Sequence, residues 1–421
     1  MINAFYRKYN LSANINIIIN LLLILYAFSL PFPFAKNIAA VIFWLWFIEA
    51  NYKLKVQCLL KIHSVKALGL FTLYILVSLL WTEAPLKETF SYIFQHKYIL
   101  ISLVIITSLQ RKNIPKIILA FLLGMFVSEL ISYGIFFEII DMGYSHKNFA
   151  TPNDPAPFFD HLDYSVFLAI TALFLLYKII QIDSYYYKAY FALFFISSTT
   201  NLFLIGGRTG QIAFIFSIVL LFFFSFQKKL RAVFFAFLLI VSILALAINI
   251  SETFKSRAIN AKQSISEVIL KQDYHSSWGQ RAACWIVSSK MVSNNLFFGT
   301  GLRDNLTNFK KTVEDGPERY KVIAWFPHLH SEYLEIITAL GITGLILFLS
   351  IFYSIITHKY KDPEAKTMKI IFLSVFFVSF FTDPFLEKRA VLLLFGVFYG
   401  LLLVQYKYEQ KICKGLNDNA N

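Results

Sequence analysis

Long apolar runs separated by short polar segments dominate the chain. Most of these runs approach the roughly 20 residues that an α-helix needs to cross a bilayer. The pattern therefore predicts an all-α fold, that of a polytopic integral membrane protein with about 12 transmembrane helices. We place these helices near residues 13–33, 37–51, 67–82, 97–110, 115–138, 163–182, 188–206, 210–226, 232–250, 332–357, 368–383 and 389–406.

One long polar segment, residues 251–331, interrupts this pattern late in the chain. It contains two helix-like stretches and separates nine predicted transmembrane helices in 1–250 from three in 332–421. We expect a single integral membrane domain in which 251–331 forms a loop domain resembling a lid, and 332–421 ends in a cytoplasmic tail.

Composition excludes a soluble protein and a nucleic-acid-binding protein. Of the 421 residues, 57% are hydrophobic and only 15% are charged, with a mean hydropathy of +0.61. The 39 Lys and Arg residues outnumber the 25 Asp and Glu residues. In a membrane protein this excess follows from the positive-inside bias and from contact with anionic membrane lipids.

The loops predict an orientation. If the N-terminus is cytoplasmic, the inside loops carry 21 basic residues and the five short outside loops carry 7. Both termini should then be cytoplasmic, with the 251–331 loop outside. Cys58 and Cys413 should lie inside and Cys284 outside, and three widely spaced cysteines do not indicate a disulfide framework.

The candidate chemistry begins where the large loop enters the membrane, in FPHLHSEYLEIITALGITG. Ser331 is a good helix N-cap residue, and Glu332 follows it in the first turn. His328 and His330 should lie just outside the helix, where the positive end of its dipole favours a neutral, proton-accepting imidazole. One interfacial histidine alone would usually be structural, so the argument depends on its partners.

The candidate partners of the two histidines are charged side chains on the same predicted face. Arg208 in GGRTGQ lies close to hydrocarbon and needs an anionic neighbour, either a ligand or a lipid headgroup. Arg281 opens a predicted helix in the loop and could equally be a solvated surface charge. Asp383 and Arg389 flank the last outside turn, TDPFLEKRA, as a structural or a functional ion pair.

Guanidinium groups bind phosphate oxygens through paired hydrogen bonds, and an imidazole can accept the proton of an attacking hydroxyl. A diphosphate leaving group at a lipid surface suits this combination. The sequence shows no carboxylate cluster with metal-ligand spacing, so we expect neither a metal ion nor a cofactor, with arginine stabilising the developing charge.

These residues, in this order, resemble the O-antigen ligase family within the wider O-antigen ligase and polymerase superfamily. The segment HLHSEYLEIITALGITGLILF is similar to the family's H-x-H-N motif and the membrane helix that follows it. His330 matches the essential histidine and His328 the one before it, while Ser331 stands where asparagine is usual. Arg208 and Arg281 match the family's two arginines, and Asp383 with Arg389 resembles its final periplasmic pair.

The resemblance implies a GT-C-like, metal-independent, inverting glycosyltransferase of the bacterial inner membrane. Its donor would be O-antigen on undecaprenyl diphosphate, and its acceptor a sugar hydroxyl of lipid A–core oligosaccharide in the periplasm. His330 would be catalytic, Arg208 and Arg281 would bind the diphosphate, and His328, Asp383 and Arg389 would support them.

Other functions remain open from the sequence. An O-antigen polymerase or a protein O-oligosaccharyltransferase would use the same donor. A transporter or flippase would instead carry ionisable groups within its membrane helices, where Glu129 is the best candidate.

The predicted orientation is testable by thiol labelling. In a variant without native cysteines, single cysteines at 208, 281 and 330 should react with a membrane-impermeant maleimide added from the periplasmic side. Cysteine at position 66, in a predicted cytoplasmic loop, should react only after the membrane is opened. Cytoplasmic labelling of any of the first three positions would contradict the predicted fold and site together.

Overall fold

The computed structural model describes residues 11–141 and 150–413, and within them every regular element is helical. The ends of the chain assigned to the cytoplasm, 1–10 and 414–421, lie outside the described residues. The α-helices are α1 Leu11–Ser29, α2 Ala35–Ile48, α3 Tyr52–Leu59, α4 His63–Val77, α5 Leu86–Gln95, α6 Ile101–Ser108, α7 Ile114–Phe136, α8 His161–Gln181, α9 Tyr185–Leu204, α10 Arg208–Ser225, α11 Lys229–Ile250, α12 Glu252–Lys271, α13 Ser277–Asn294, α14 Asp304–Glu314, α15 Glu332–Thr357, α16 Pro363–Thr382 and α17 Arg389–Glu409.

Each of the twelve predicted runs falls on a helix, and the all-α membrane class is confirmed. In the described chain, ten helical segments are long and apolar enough to cross a membrane. The other two runs correspond to α2, which has only 14 residues, and to α9. Four tyrosines and a run of Ser and Thr make α9 less apolar. The count of twelve spans therefore stays a prediction.

Two helices form the centre of the bundle. Nearly all of α17 and most of α8 is buried by other helices, whereas α11 is largely exposed, as expected of a helix facing lipid. Helix α8 packs against α9, α10 and α16, and α17 packs against α6. Both central helices begin at the end of the bundle where residues 251–331 lie, which we call the loop face.

Helix α15 is kinked at Gly341, whose φ of +67° lies in the left-handed region. The kink frees backbone groups, and the loop segment 296–301 bonds to them. Thr300 N donates to Thr338 O at 2.9 Å, and Ile342 N donates to Leu296 O at 2.8 Å. Because a bilayer offers no water to satisfy free backbone groups, this pairing allows the helix to break and anchors the loop to it.

The large loop has a hydrophobic core of its own. Side chains of α13, α14 and a short 3-10 helix, Glu318–Ile323, bury Cys284, Phe309 and Tyr320. Leu334 of α15 belongs to the same core, so the loop is continuous with the start of that membrane helix. The two predicted loop helices are confirmed as α12 and α13, while the sequence reading missed α14.

Two of the three cysteines form a disulfide that the sequence did not predict. Cys58 and Cys413, 355 residues apart, form a disulfide, although their spacing suggested no such framework. A disulfide needs spatial proximity alone, and the packing of α17 brings the distant C-terminal segment to α3. The third cysteine, Cys284, is free and buried.

Replacing Gly341 with alanine should destabilise the protein. A β-carbon there would lie 2.4 Å from the backbone of Phe297, and alanine disfavours a positive φ. We expect a loss of about 2 kcal/mol or more in unfolding free energy, measured by denaturation in detergent. Gly69→Ala is the matched control, since its β-carbon would have no atom within 4 Å. Equal stability of the two variants would refute the importance of the kink.

Candidate active site

The predicted histidine pair forms a compact turn before α15. His330 has a φ of 52°, an unusual conformation for a residue other than glycine and one often found at functional sites. Its backbone N–H donates to His328 Nδ1 at 3.3 Å. Its ring packs against Phe326 and His328, with centroids 4.5 and 4.3 Å away. His328 therefore positions His330.

Burial lowers the pKa of His328 to about 4, so this imidazole stays neutral near pH 7. Because its Nδ1 accepts the hydrogen bond from His330 N, the ring proton must lie on Nε2. His328 is thus a fixed hydrogen-bond acceptor.

Asp383, directly after α16, orients the other ring. Its Oδ1 lies 3.2 Å from His330 Nδ1, and its Oδ2 lies 2.6 Å from Lys388 Nζ. The carboxylate is 1% exposed, whereas the His330 side chain is 22% exposed. An Nδ1–H donated to the carboxylate leaves Nε2 of His330 as the proton-accepting nitrogen.

The charge balance keeps Asp383 ionised. Burial alone would raise its pKa, but the hydrogen bond from His330 and the charge of Lys388 hold the pKa below its usual value. Burial works in the opposite sense on Lys388, yet Asp163 and Asp383 together raise its pKa above the usual value. Asp163, at the start of α8, lies 3.5 Å from Lys388.

Arg281 reaches this cluster from α13. Ser276 caps the helix by accepting from Gly279 N at 3.1 Å, which places Arg281 one turn inside. Burial lowers the pKa of Arg281, while the charge of Asp383 acts in the opposite direction. Arginine remains charged at pH 7 even so. Arg281 therefore adds a cation within electrostatic range of Asp383.

Arg208 opens α10 on a glycine-rich turn that packs tightly on α8. A β-carbon on Gly210 would lie 2.1 Å from the backbone oxygen of Ser165, so only glycine allows this approach. The same turn is held by Gly206 N donating to Asp154 Oδ1 at 2.9 Å. These contacts set the position of the arginine at the loop face.

A cavity of about 350 Å³ brings the two arginines into one region. Arg208, Ser277, Trp278 and Glu267 are among its lining residues. Ser277 is also the serine to which Arg281 donates, with Nη1 3.0 Å from its Oγ. The cavity is thus lined by one arginine and by the hydrogen-bond partner of the other.

One predicted detail is wrong, and another is confirmed only in position. The cation paired with Asp383 is Lys388, not Arg389, whose guanidinium lies over the Tyr98 ring, 5.8 Å from its centroid. Adjacent residues at a helix start point in different directions, and the tertiary packing selects the lysine. Ser331 occupies the N-cap position, but its hydroxyl donates to Phe380 O instead of capping the helix.

Sequence reasoning also missed the two glutamates that hold the site's loops. Glu335 accepts from Leu329 N at 2.6 Å, and Glu332 accepts from Leu386 N at 2.8 Å. One bond fixes the histidine turn and the other fixes the turn that carries Lys388. Acidic residues in the first turn of α15 were visible in the sequence, but only as helix-favouring charges.

The cluster also has the composition of a metal site. One ligand atom each from His328, His330 and Asp383 lie within 4.8 Å of one another. Two imidazoles and a carboxylate could hold a transition metal. An ion bound there would have to compete with the Lys388 ammonium, which already neutralises Asp383.

Glu129, the residue most suggestive of transport, is enclosed by hydrogen bonds. It is 1% exposed, and its two carboxylate oxygens accept from Ser197 at 2.9 Å and Ser198 at 2.6 Å. Both serines lie on the neighbouring helix α9, so these bonds join α7 to α9. This arrangement suits helix association within a membrane.

Comparison with known families bears on this geometry. Residues 191–349 match the family model Wzy_C, described as O-Antigen ligase. Residues 191–349 are therefore similar to an O-antigen ligase domain. The match to the ligase domain includes Arg208, Arg281, His328 and His330, and ends before Asp383. No curated protein matches the chain. The resemblance inferred from the sequence is therefore confirmed at the level of O-antigen ligase and polymerase-type membrane proteins.

Lys388→Met should destabilise the protein strongly. It leaves the Asp383 carboxylate buried without its cation, which costs on the order of 3 kcal/mol. The measurement is unfolding in detergent at neutral pH, with Arg389→Met as the control because that neighbour is exposed. Acidification should narrow the difference in unfolding free energy between Lys388→Met and the wild type, since a protonated Asp383 carries no charge that a cation must neutralise. A destabilisation by Arg389→Met as large as that by Lys388→Met would contradict the assignment.

Proposed function

We propose that the protein is an O-antigen ligase. It transfers O-antigen glycan from undecaprenyl diphosphate to a sugar hydroxyl of lipid A–core oligosaccharide. The loop face is then periplasmic, the protein lies in the bacterial inner membrane, and the transfer inverts the anomeric centre without a metal ion. The observation that carries the proposal is the His330–Asp383–Lys388 arrangement, with Arg281 within electrostatic range of Asp383, in a chain whose residues 191–349 match the family model.

His330 is the proposed base. With Nδ1 bonded to Asp383, its Nε2 can accept the proton of the acceptor hydroxyl. The resulting imidazolium is stabilised by the buried carboxylate, as in other imidazole–carboxylate pairs. The partial exposure of the His330 side chain leaves room for a substrate.

The two arginines are the proposed diphosphate ligands. As the acceptor oxygen bonds to the anomeric carbon, the bond from that carbon to the diphosphate oxygen breaks. Undecaprenyl diphosphate leaves with the electron pair, and Arg208 and Arg281 stabilise its charge through bidentate hydrogen bonds. The cavity between α10, α12 and α13 is the proposed location of this group.

The test is transfer by purified protein from undecaprenyl diphosphate-linked glycan to lipid A–core. His330→Ala, Arg208→Ala and Arg281→Ala should each abolish detectable transfer, while Lys310→Ala, an exposed residue of α14, should not change it. Asp383→Asn should lower kcat by about 10²-fold or more, because it disturbs the tautomer of His330. Absence of transfer by the wild-type protein would overturn the proposed function. Normal transfer by the first three variants, at matched folding, would overturn the roles given to these residues.

Two further readouts separate the alternatives. Activity should persist in EDTA; loss in EDTA with recovery on added Zn²⁺ would instead place a metal at His328, His330 and Asp383. In cells, loss of a ligase leaves long lipid-linked polymer unattached, whereas loss of a polymerase leaves single repeats on the core. The second pattern would contradict the ligase assignment in favour of polymerisation.

A further inference from the structure

A second and larger cavity opens on the loop face, away from the arginines. It has a volume of about 690 Å³, within the range of about 300–1,000 Å³ typical of ligand pockets. One wall comes from the connection between α4 and α5, with Trp81 and Glu83. The other comes from the large loop and the first turns of α14, with Asp304 and Asn308. We call this cavity the outer cleft.

The two walls are fixed to each other. Asp304 Oδ2 accepts from Glu83 N at 2.8 Å, and Leu302 N donates to Thr82 Oγ1 at 3.1 Å. Phe298 lies on the segment that pairs with the kink of α15. The outer cleft is thus formed before any ligand binds, which limits the ordering cost of binding.

The lining combines an aromatic face with polar groups. The rings of Trp81 and Phe298 meet edge to face, with centroids 5.9 Å apart. The indole Nε1 of Trp81 is buried and has no hydrogen-bond partner among the described residues. Asn295 and Asn308 line the same cavity. Sugars carry both an apolar C–H face and a rim of hydroxyl groups, which this combination matches.

Charge restricts the kind of sugar. The charged side chains in the described lining are Glu83 and Asp304, both carboxylates. They repel phosphate and uronic acid groups and favour hydroxyls or ammonium groups. The smaller cavity presents the cation Arg208 together with Glu267, so the two cavities differ in the charges that line them.

The outer cleft is connected to the proposed active site through two hydrogen bonds. Asn305, next to Asp304, donates to Glu335 Oε2 at 2.8 Å, and Glu335 Oε1 accepts from Leu329 N in the histidine turn. The start of α14, which lines the outer cleft at Asp304, is therefore tied to the turn that positions His330.

We propose that the outer cleft binds a glycan segment of neutral or amino sugars. The proposal rests on the proposed function, because the outer cleft would bind the sugars near the reacting end of one of the two transfer substrates. The segment belongs either to the lipid-linked donor or to the acceptor oligosaccharide, and kinetics separate the two.

The first test is transfer by the full-length protein in nanodiscs. Trp81→Ala should raise KM about tenfold, the effect of one buried contact, with kcat unchanged within about twofold. A raised KM for the donor assigns the cleft to O-antigen, and one for lipid A–core assigns it to the acceptor.

Asn308→Ala should raise the same KM with less risk to folding. Trp44→Ala is the control, since this tryptophan of α2 is 72% exposed on another surface. Unchanged KM for both substrates in Trp81→Ala and Asn308→Ala would overturn the proposal.

The second test measures binding without catalysis. Free glycan released by mild acid from the donor, and sugars released from the core, are titrated against wild-type protein, Trp81→Ala and the control Trp44→Ala by saturation-transfer NMR. The expected result is that one of the two glycan preparations binds the wild type and Trp44→Ala equally, with an affinity about tenfold lower for Trp81→Ala. This result supports the outer cleft even if no transfer is seen. Absence of binding by wild type, equal binding by Trp81→Ala, or displacement by trigalacturonate would refute it. Absence of transfer by the wild-type protein, with glycan binding intact, would refute the proposed function alone.

Discussion

The carboxylate of Asp383 is the group on which the site depends. It is almost completely buried, so its charge requires partners that come from elsewhere in the chain. His330 arrives from the large loop, and Lys388 arrives from the turn before α17. Lys388 also reaches Asp163 on α8, so one network of charges ties the loop to the two most buried helices.

The backbone around this network is held by the kink in α15 and by two glutamates in the first turn of that helix. The kink at Gly341 allows the loop segment 296–301 to bond to the middle of α15. Glu332 and Glu335, in the first turn of the same helix, accept backbone hydrogen bonds from the two turns that carry Lys388 and His330. The first half of α15 thus acts as a frame. A base held this way needs little reorganisation before it accepts a proton.

Much of this could be read from the sequence because its signals are local. Hydrophobic run length identified the membrane helices, and the helix start placed His328 and His330 at the boundary. Arg281 was found because it lies in a recognisable pattern, and the structure places it beside Asp383. Lys388 and Asp163 carry no local signal: each is an ordinary charged residue until folding brings them to 3.5 Å. The choice of Arg389 over Lys388 failed for the same reason, since two adjacent basic residues are equivalent until packing separates them.

The sequence alone determined the class of protein, the positions of its apolar helices and the residue types available for chemistry. These depend on hydrophobic periodicity and on the side chains themselves. Tertiary structure alone decided which cation neutralises Asp383, how Cys58 meets Cys413 and where α15 breaks. It also decided that two cavities form, one lined by the carboxylates of Glu83 and Asp304 and the other by Arg208 together with Glu267. Each of these arises from contact between segments far apart in the chain, and such contacts are specified by packing that no local pattern encodes.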